Sequence, residues 1–170
     1  DNWQSEKAII FASIDKSDIP ILRSTLSGID TDSVRIIIVP HEVNKSTLDQ
    51  IKNVLIECKI PYCLYSSLDK KSNCVVIDYV GILADLYKYT SIAYVGCGFS
   101  SGVHSVIEPA VYNNLVIHGP QIEILDEAIE MEKNNISIMI QNDKQLLDAF
   151  EIIHNPHELN KRKELTKNYI

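Results

Sequence analysis

Short apolar runs rich in Ile and Val recur along this chain, and a helix-length amphipathic stretch fills most of the gaps between them. That alternation constrains the fold more than any single motif. A strand with one wet face alternates apolar and polar residues, whereas a run without polar breaks is buried on both faces. Strands of the second kind belong to parallel sheets covered by helices on both sides. Seven runs read as strands: Ala8–Ala12, Val34–Val39, Tyr62–Tyr65, Val75–Ile77, Ile92–Val95, Leu115–Ile117 and Ile136–Ile140.

The segments between them read as helices. Ser17 or Asp18 is placed to cap one that starts at Ile19-Pro20, with Pro in the first turn. Asn44 or Ser46 is placed to cap the next, whose apolar positions Leu48, Ile51, Val54, Leu55 and Cys58 follow helical spacing. Ile82, Leu83 and Leu86 mark a third, ending near Tyr89. Leu125, Ala128 and Ile129 mark another. So do Leu146, Leu147, Phe150 and Ile153, and Asn155-Pro156 starts a last helix running through Leu165. Strand–helix alternation with short joints predicts a doubly wound α/β sandwich with a parallel sheet. At roughly 150 residues per domain, 170 residues make one domain or one half of a two-domain enzyme. Residues 1–5 read as a stub entering from something upstream.

Several function classes drop out. Charges sum to 16 − 23 = −7, which argues against a nucleic-acid binder with its basic face. No apolar run approaches the roughly 18 residues of a membrane span. Asp1–Glu6 has neither the basic region nor the apolar stretch of a signal peptide. Cys58, Cys63, Cys74 and Cys97 form no Cys-x-x-Cys pair and read as reduced core thiols of a cytosolic protein.

In such folds ligands bind outside the carboxyl ends of the strands, where the strand order reverses. After the first strand, Ser13-Ile14-Asp15-Lys16-Ser17 contains no glycine, so the dinucleotide fingerprint is missing, and no phosphate-binding P-loop occurs elsewhere. Pro40-His41-Glu42 ends the second strand and aims polar side chains at the same edge. Asp78-Tyr79-Val80-Gly81 follows the fourth, where Asp78 is placed to cap the next helix. The fifth is followed by Gly96-Cys97-Gly98-Phe99-Ser100-Ser101-Gly102-Val103-His104-Ser105-Val106-Ile107-Glu108-Pro109, with three of the chain's six glycines in seven residues. A flexible loop running into a helix N-terminus is a natural anion site. His104 and Glu108 are four apart, which puts them on one helical face. A single His-x-x-x-Glu pair is a weak metal signal, and no metal is expected. His118-Gly119-Pro120 after the sixth strand reads as a sharp turn near the same edge. His154, His157 and the run Lys161-Arg162-Lys163 read as solvated.

The stretch from Asp78 to Pro120 resembles the C-terminal half of 3-deoxy-D-manno-octulosonic acid (Kdo) transferases. The matching text is Tyr79-Val80-Gly81-Ile82-Leu83-Ala84-Asp85-Leu86-Tyr87, Ile92 to Phe99, Gly102 to Ala110, and Val116-Ile117-His118-Gly119-Pro120. Ile38-Val39-Pro40-His41-Glu42 looks like a strand end found in one branch of that family, and order and spacing agree over roughly residues 7–150. The resemblance implies a Rossmann-like domain spanning 1–170, the C-terminal half of a glycosyltransferase of the two-domain GT-B type. It implies CMP-Kdo as donor and inverting transfer of Kdo to a lipid A precursor in lipopolysaccharide biosynthesis. The acceptor and the catalytic carboxylate belong to an N-terminal half outside this chain, so the chain alone is expected to bind nucleotide and transfer little or nothing. The full-length protein is expected to be peripheral to the cytoplasmic side of the bacterial inner membrane.

The resemblance also implies residue roles. Glu108 takes the ribose hydroxyls of CMP. The loop holding Gly98, Ser100, Ser101 and Gly102, with the N–H groups near His104 and Ser105, cradles the phosphate. Pro40 and His41 line the nucleotide or the Kdo carboxylate, and backbone at Tyr79, Val80 and Gly81 reads the cytosine edge. No catalytic residue, cofactor or metal is expected in this chain. Two positions depart from the pattern: Ser105 stands where the family usually has Asn, and Cys97 where it typically has Gly. The last helix, Pro156–Ile170, is expected to pack back on the missing half, and without it to fray or to serve a crystal or dimer contact. Two other readings compete. One is half of another GT-B enzyme using a UDP- or GDP-sugar. The other is a non-enzymatic α/β module, for which Asp15 and Asp18 give a faint version of a receiver domain's acidic cluster.

Overall fold

The computed structural model describes residues 7–69 and 71–170; the stub at 1–5 lies outside them. Strands β1 (Ala8–Ile14), β2 (Arg35–Pro40), β3 (Cys63–Leu64), β4 (Cys74–Val76), β5 (Ile92–Val95), β6 (Leu115–His118) and β7 (Ser137–Met139) form one sheet. The order is β3-β4-β2-β1-β5-β6-β7, and every pair is parallel. Helices α1 (Ile19–Leu26), α2 (Lys45–Glu57), α3 (Leu83–Leu86), α4 (Ile107–Val111), α5 (Asp126–Lys133), α6 (Asp143–Phe150) and α7 (Pro156–Tyr169) link and cover the strands.

The unbroken apolar runs do what their pattern predicts. Ile9, Phe11, Ile36, Ile38, Ile92, Tyr94, Leu115 and Ile117 face one layer, with Leu22, Leu55, Leu146 and Phe150 packed on them. The intervening residues face the other way. Ile10, Ala12, Ile37 and Val39 meet Leu86 and Tyr87, and Val95 and Val116 meet Ala110, Ala128 and Met131. Each fully buried aliphatic side chain is worth about 1.5–3 kcal/mol, so two covered faces supply most of the drive to fold. Among the described residues no helix is long and apolar enough to cross a membrane.

The chain runs from β1 to β2, goes out to the edge at β3, comes back to β4 between β3 and β2, and then crosses to β5 on the other side of β1. The switch point is therefore the β1/β5 seam, and its carboxyl edge is where a ligand belongs. The edge is irregular. β1 loses register with β2 between Phe11 and Ile14, and Ser13 takes a left-handed φ of 55°.

Several elements differ from expectation. β3 keeps two residues, because Tyr65–Ser67 tightens into a 3-10 turn. The third helix keeps one α-turn before Tyr87–Tyr89 becomes 3-10. Asn44 caps α2 by accepting from the Thr47 N–H at 2.9 Å. Asp18 precedes α1 but makes no cap bond, since its carboxylate faces inward. Asp78 caps nothing either; it accepts from the Ser66 N–H at 2.9 Å and from its hydroxyl at 2.5 Å. The last helix extends to Tyr169 and packs on its own domain without fraying. Leu159 and Thr166 are buried, the Lys163 ammonium reaches the Ser91 hydroxyl at 3.1 Å, and Tyr169 donates to Glu130 at 3.0 Å. The basic run is thus partly engaged: Arg162 pairs with Glu158 at 2.8 Å.

Candidate functional site

The site is built where β1, β2 and β5 end together. Pro40 pairs with Ile14, and the next residue, His41, donates its backbone N–H to the Ile14 carbonyl at 2.8 Å. That ladder step carries the His41 side chain out over the switch point. The chain leaving β5 comes to the same place, and the His41 and His104 rings lie 4.4 Å apart between centroids, tilted by 36°. Two residues 63 positions apart in sequence are thereby brought face to face. Burial pushes the His104 imidazole below its usual pKa, and the neighbouring His41 adds to the effect.

Beneath the histidines lies a buried acid. Asp18 is 0% exposed and collects three donors: the Tyr94 hydroxyl at 2.7 Å, the Cys97 N–H at 2.9 Å and the Asp15 N–H at 3.0 Å. Burial raises its pKa, against the pull of those bonds. Asp15 behaves differently. Burial works to raise it, but bonds from Ser17 and Ser100 outweigh that and hold it at about 2. The Ser100 hydroxyl donates to Asp15 at 2.7 Å.

The glycine-rich loop is explained largely by packing. A Cβ on Gly96 would meet the Ser13 carbonyl oxygen at 2.4 Å, and one on Gly98 would meet the Gly119 nitrogen at 2.7 Å. These glycines let three loops touch backbone to backbone. Inside the loop, the Ser100 and Gly102 N–H groups both donate to the Cys97 carbonyl, at 3.0 and 3.1 Å. Two of the N–H groups assigned to a phosphate cradle are therefore already committed. Cys97 adopts a left-handed φ of 64° and points inward, its thiol 3.4 Å from the Ser13 carbonyl. Burial pushes that thiol up to about 12.

His104 and Glu108 do not share a helical face. The helix starts at Ile107, and His104 lies in the segment before it. A helix through both would need the residue-109 N–H to bond the Ser105 carbonyl, and Pro109 has none. Ser105 instead accepts from the Glu108 N–H through its hydroxyl, at 3.3 Å. Glu108 itself is exposed, and its charge reaches both His104 and Tyr87. Ser101 is exposed on the same loop.

Tyr79, Val80 and Gly81 follow β4, which lies beside β2 and two strand spacings from β1. The strand ends of β4 and β1 are thus roughly 10 Å apart along the sheet edge, with β2 and His41 between them. Tyr79 and Val80 are 60% and 74% exposed, and Gly81 holds a φ of 89° with open space around its Cα. His118 contributes nothing to the cleft: it is fully buried, donating from Nδ1 to the Gly119 carbonyl at 2.9 Å, with Nε2 3.0 Å from the Ser137 hydroxyl. Burial lowers its pKa, so the fold holds it neutral. Protonation is then favoured in the unfolded chain. Stability contributed by this group is complete above the unfolded value of about 6.5 and falls as pH drops through the folded one. The melting temperature is expected to fall between about pH 7.5 and about pH 5.5, and His118→Asn to shrink that slope. An unchanged slope in the variant would assign it elsewhere.

Asp18 and Tyr94 are the site residues that sequence reasoning missed. Asp18 before Ile19-Pro20 carries every local sign of a cap, and its true partners are 76 and 79 positions away.

No protein-family profile matches the chain. It is similar to the bifunctional glycosyltransferase/methyltransferase of Fusobacterium nucleatum, 32% identical over 127 residues, covering 71% of this chain and 20% of that protein. It is also similar to the 3-deoxy-D-manno-octulosonic acid transferase of Rickettsia prowazekii, 22% identical over 173 residues, covering 96% of this chain and 36% of the other. The chain thus spans between a fifth and two fifths of these relatives. Among solved structures, the C-terminal CMP-Kdo binding domain of WaaA from Acinetobacter baumannii superposes with a TM-score of 0.83 at 17% identity, over 98% of this chain and 90% of that one.

Proposed function

Because the chain is a relative of the Kdo transferases over most of its length and carries the fold of the C-terminal half of a GT-B glycosyltransferase, we propose that it is the donor-binding domain of an inverting transferase that takes Kdo from CMP-Kdo. The observation that most supports this is the meeting of His41 and His104 over the switch point, with exposed Glu108 just beyond them. The acceptor is a lipid A precursor held by an N-terminal half. That half also supplies the carboxylate that deprotonates the acceptor hydroxyl. The enzyme works at the cytoplasmic side of the inner membrane, in lipopolysaccharide biosynthesis.

The chain's own residues bind and orient the donor. Glu108 accepts hydrogen bonds from the two ribose hydroxyls. Tyr79, Val80 and Gly81 lie where a nucleotide extended along the sheet edge places its base. With Ser100 and Gly102 turned inward, the phosphate falls to Gly98, Ser101, His104 and Ser105. Their donors stabilise charge on departing CMP as the sugar turns oxocarbenium-like. Pro40 sets the position of His41 beside the donor. These groups carry the leaving-group charge without a metal.

Calorimetric titration with CMP, UDP and GDP, each with and without EDTA, tests the reading. The expected result is selective binding of CMP, insensitive to the chelator. Glu108→Ala should weaken it about 10–150-fold, the worth of a charge-assisted bond of roughly 1.5–3 kcal/mol. Preference for UDP or GDP would keep the fold and move the substrate, and no binding to any of the three would overturn the proposal. Detectable Kdo transfer by this chain alone would overturn the placing of the base in another half.

A further inference from the structure

We propose that His41, Cys97 and His104 form a binding site for a soft tetrahedral metal ion of the zinc class. One ligand atom from each residue, a ring nitrogen from either histidine and the Cys97 sulfur, lies within 4.8 Å of the other two. A tetrahedral zinc ion with bonds of about 2.0–2.3 Å needs about 3.3 Å between nitrogens and about 3.6 Å from sulfur to nitrogen. Closing that gap asks for movement of the side chains. His41 is exposed and free to swing, and its ring already lies 4.4 Å from that of His104.

The donor set is selective. Two imidazoles and a thiolate favour zinc-class ions over magnesium or calcium, which prefer oxygen. Three protein ligands leave a fourth tetrahedral position for water or an anion, the pattern of open rather than structural zinc sites. On binding, the Cys97 S–H bond breaks and its proton passes to solvent, the bond to the Ser13 carbonyl is given up, and a sulfur–metal bond forms. The imidazoles donate lone pairs and lose no proton. The resulting net charge of +1 lies beside the Asp15 carboxylate, which together with Asp18 also clusters around the Cys97 sulfur. The backbone adds a reason to look here: Cys97 keeps a side chain at a φ of 64°, where glycine would be relaxed.

The other three cysteines give the controls. Cys58 and Cys63 are partly exposed, and Cys74 is buried in β4, in register with Ile36 of β2. The site is one of the donor-free chain: His41 and His104 serve the ion when no donor is bound, so the metal-free donor binding proposed above is a separate state and the test uses the metal alone.

Zinc is spectroscopically silent, so the whole chain is titrated with Co2+ under reducing conditions and the thiolate-to-cobalt charge-transfer band is followed. One equivalent of Co2+ should produce the band and one equivalent of Zn2+ should remove it. Cys97→Gly suits the left-handed backbone, so it should fold and lose the band; Cys97→Ser repeats the measurement with a side chain retained. His41→Ala and His104→Ala should each weaken Zn2+ binding by more than the about 10–100-fold that loss of an outer hydrogen-bond partner costs. The double variant Cys58→Ser/Cys63→Ser should keep the band. The proposal is overturned if the parent shows no band, if Cys97→Gly or Cys97→Ser retains it, if either histidine is dispensable, or if the band goes with Cys58 and Cys63.

Discussion

Asp18→Ala is expected to destabilise the domain by roughly 3–5 kcal/mol, the cost of breaking a fully buried hydrogen-bond network around a carboxyl group. Truncation leaves the Tyr94 hydroxyl and the N–H groups of Cys97 and Asp15 facing a void, and each buried donor without a partner costs about 1–3 kcal/mol. Removing the buried carboxyl recovers part of that sum, because burial disfavours its charged form and raises its pKa. Asp18→Asn separates the two effects. Its oxygen can take the two N–H groups, which both bond the same carboxylate oxygen, while its amide faces a Tyr94 hydroxyl turned to accept. The amide variant should therefore lose well under half as much. Urea denaturation of the three proteins measures this. An alanine variant with an unchanged midpoint would mean that water fills the void and satisfies the donors.

Gly96→Ala is expected to cost about 3 kcal/mol or more, at or beyond the top of the usual range for overpacking. The added methyl would lie 2.4 Å from the Ser13 carbonyl oxygen, 2.9 Å from its carbon and 2.7 Å from the Asp18 carboxylate. Backbone and a network-bound side chain cannot step aside as the tip of a leucine can. Gly81→Ala is the comparison. Its Cβ would meet nothing within 4 Å, and its penalty is the left-handed φ of 89° alone, about 1–2 kcal/mol. If thermal melting ranks Gly81→Ala as the worse of the two, steric closeness at the β1/β5 seam is not what requires glycine there.

The layered fold was readable because its signal is local and repeated. Runs such as Ile36-Ile37-Ile38-Val39 have no polar position to turn towards water, so they call for cover on both faces. Edges were harder to read. The strand expected at Tyr62–Tyr65 keeps two residues, since an outer strand has one neighbour to hold it straight. For the site, the strand-end residues were legible because parallel topology fixes where strands stop. Their partners were not. His41 over His104, Asp18 under Tyr94, and Gly98 against Gly119 are all long-range meetings, and nothing in a local window distinguishes an aspartate that caps from one that burrows. The helical pairing of His104 with Glu108 failed on a local rule that was in view, the missing N–H of Pro109.

The touching backbones of Gly98 and Gly119 have a consequence for variation. Gln121 donates to the Gly98 carbonyl at 3.0 Å and accepts from the Val103 N–H at 2.9 Å, so segments 96–103 and 118–122 are stitched into a single piece. A loop transplanted from a relative would have to travel with its companion, however far apart the two lie in the gene. Specificity at this edge is therefore inherited in paired segments, and lineages that diverge in one should carry matching changes in the other.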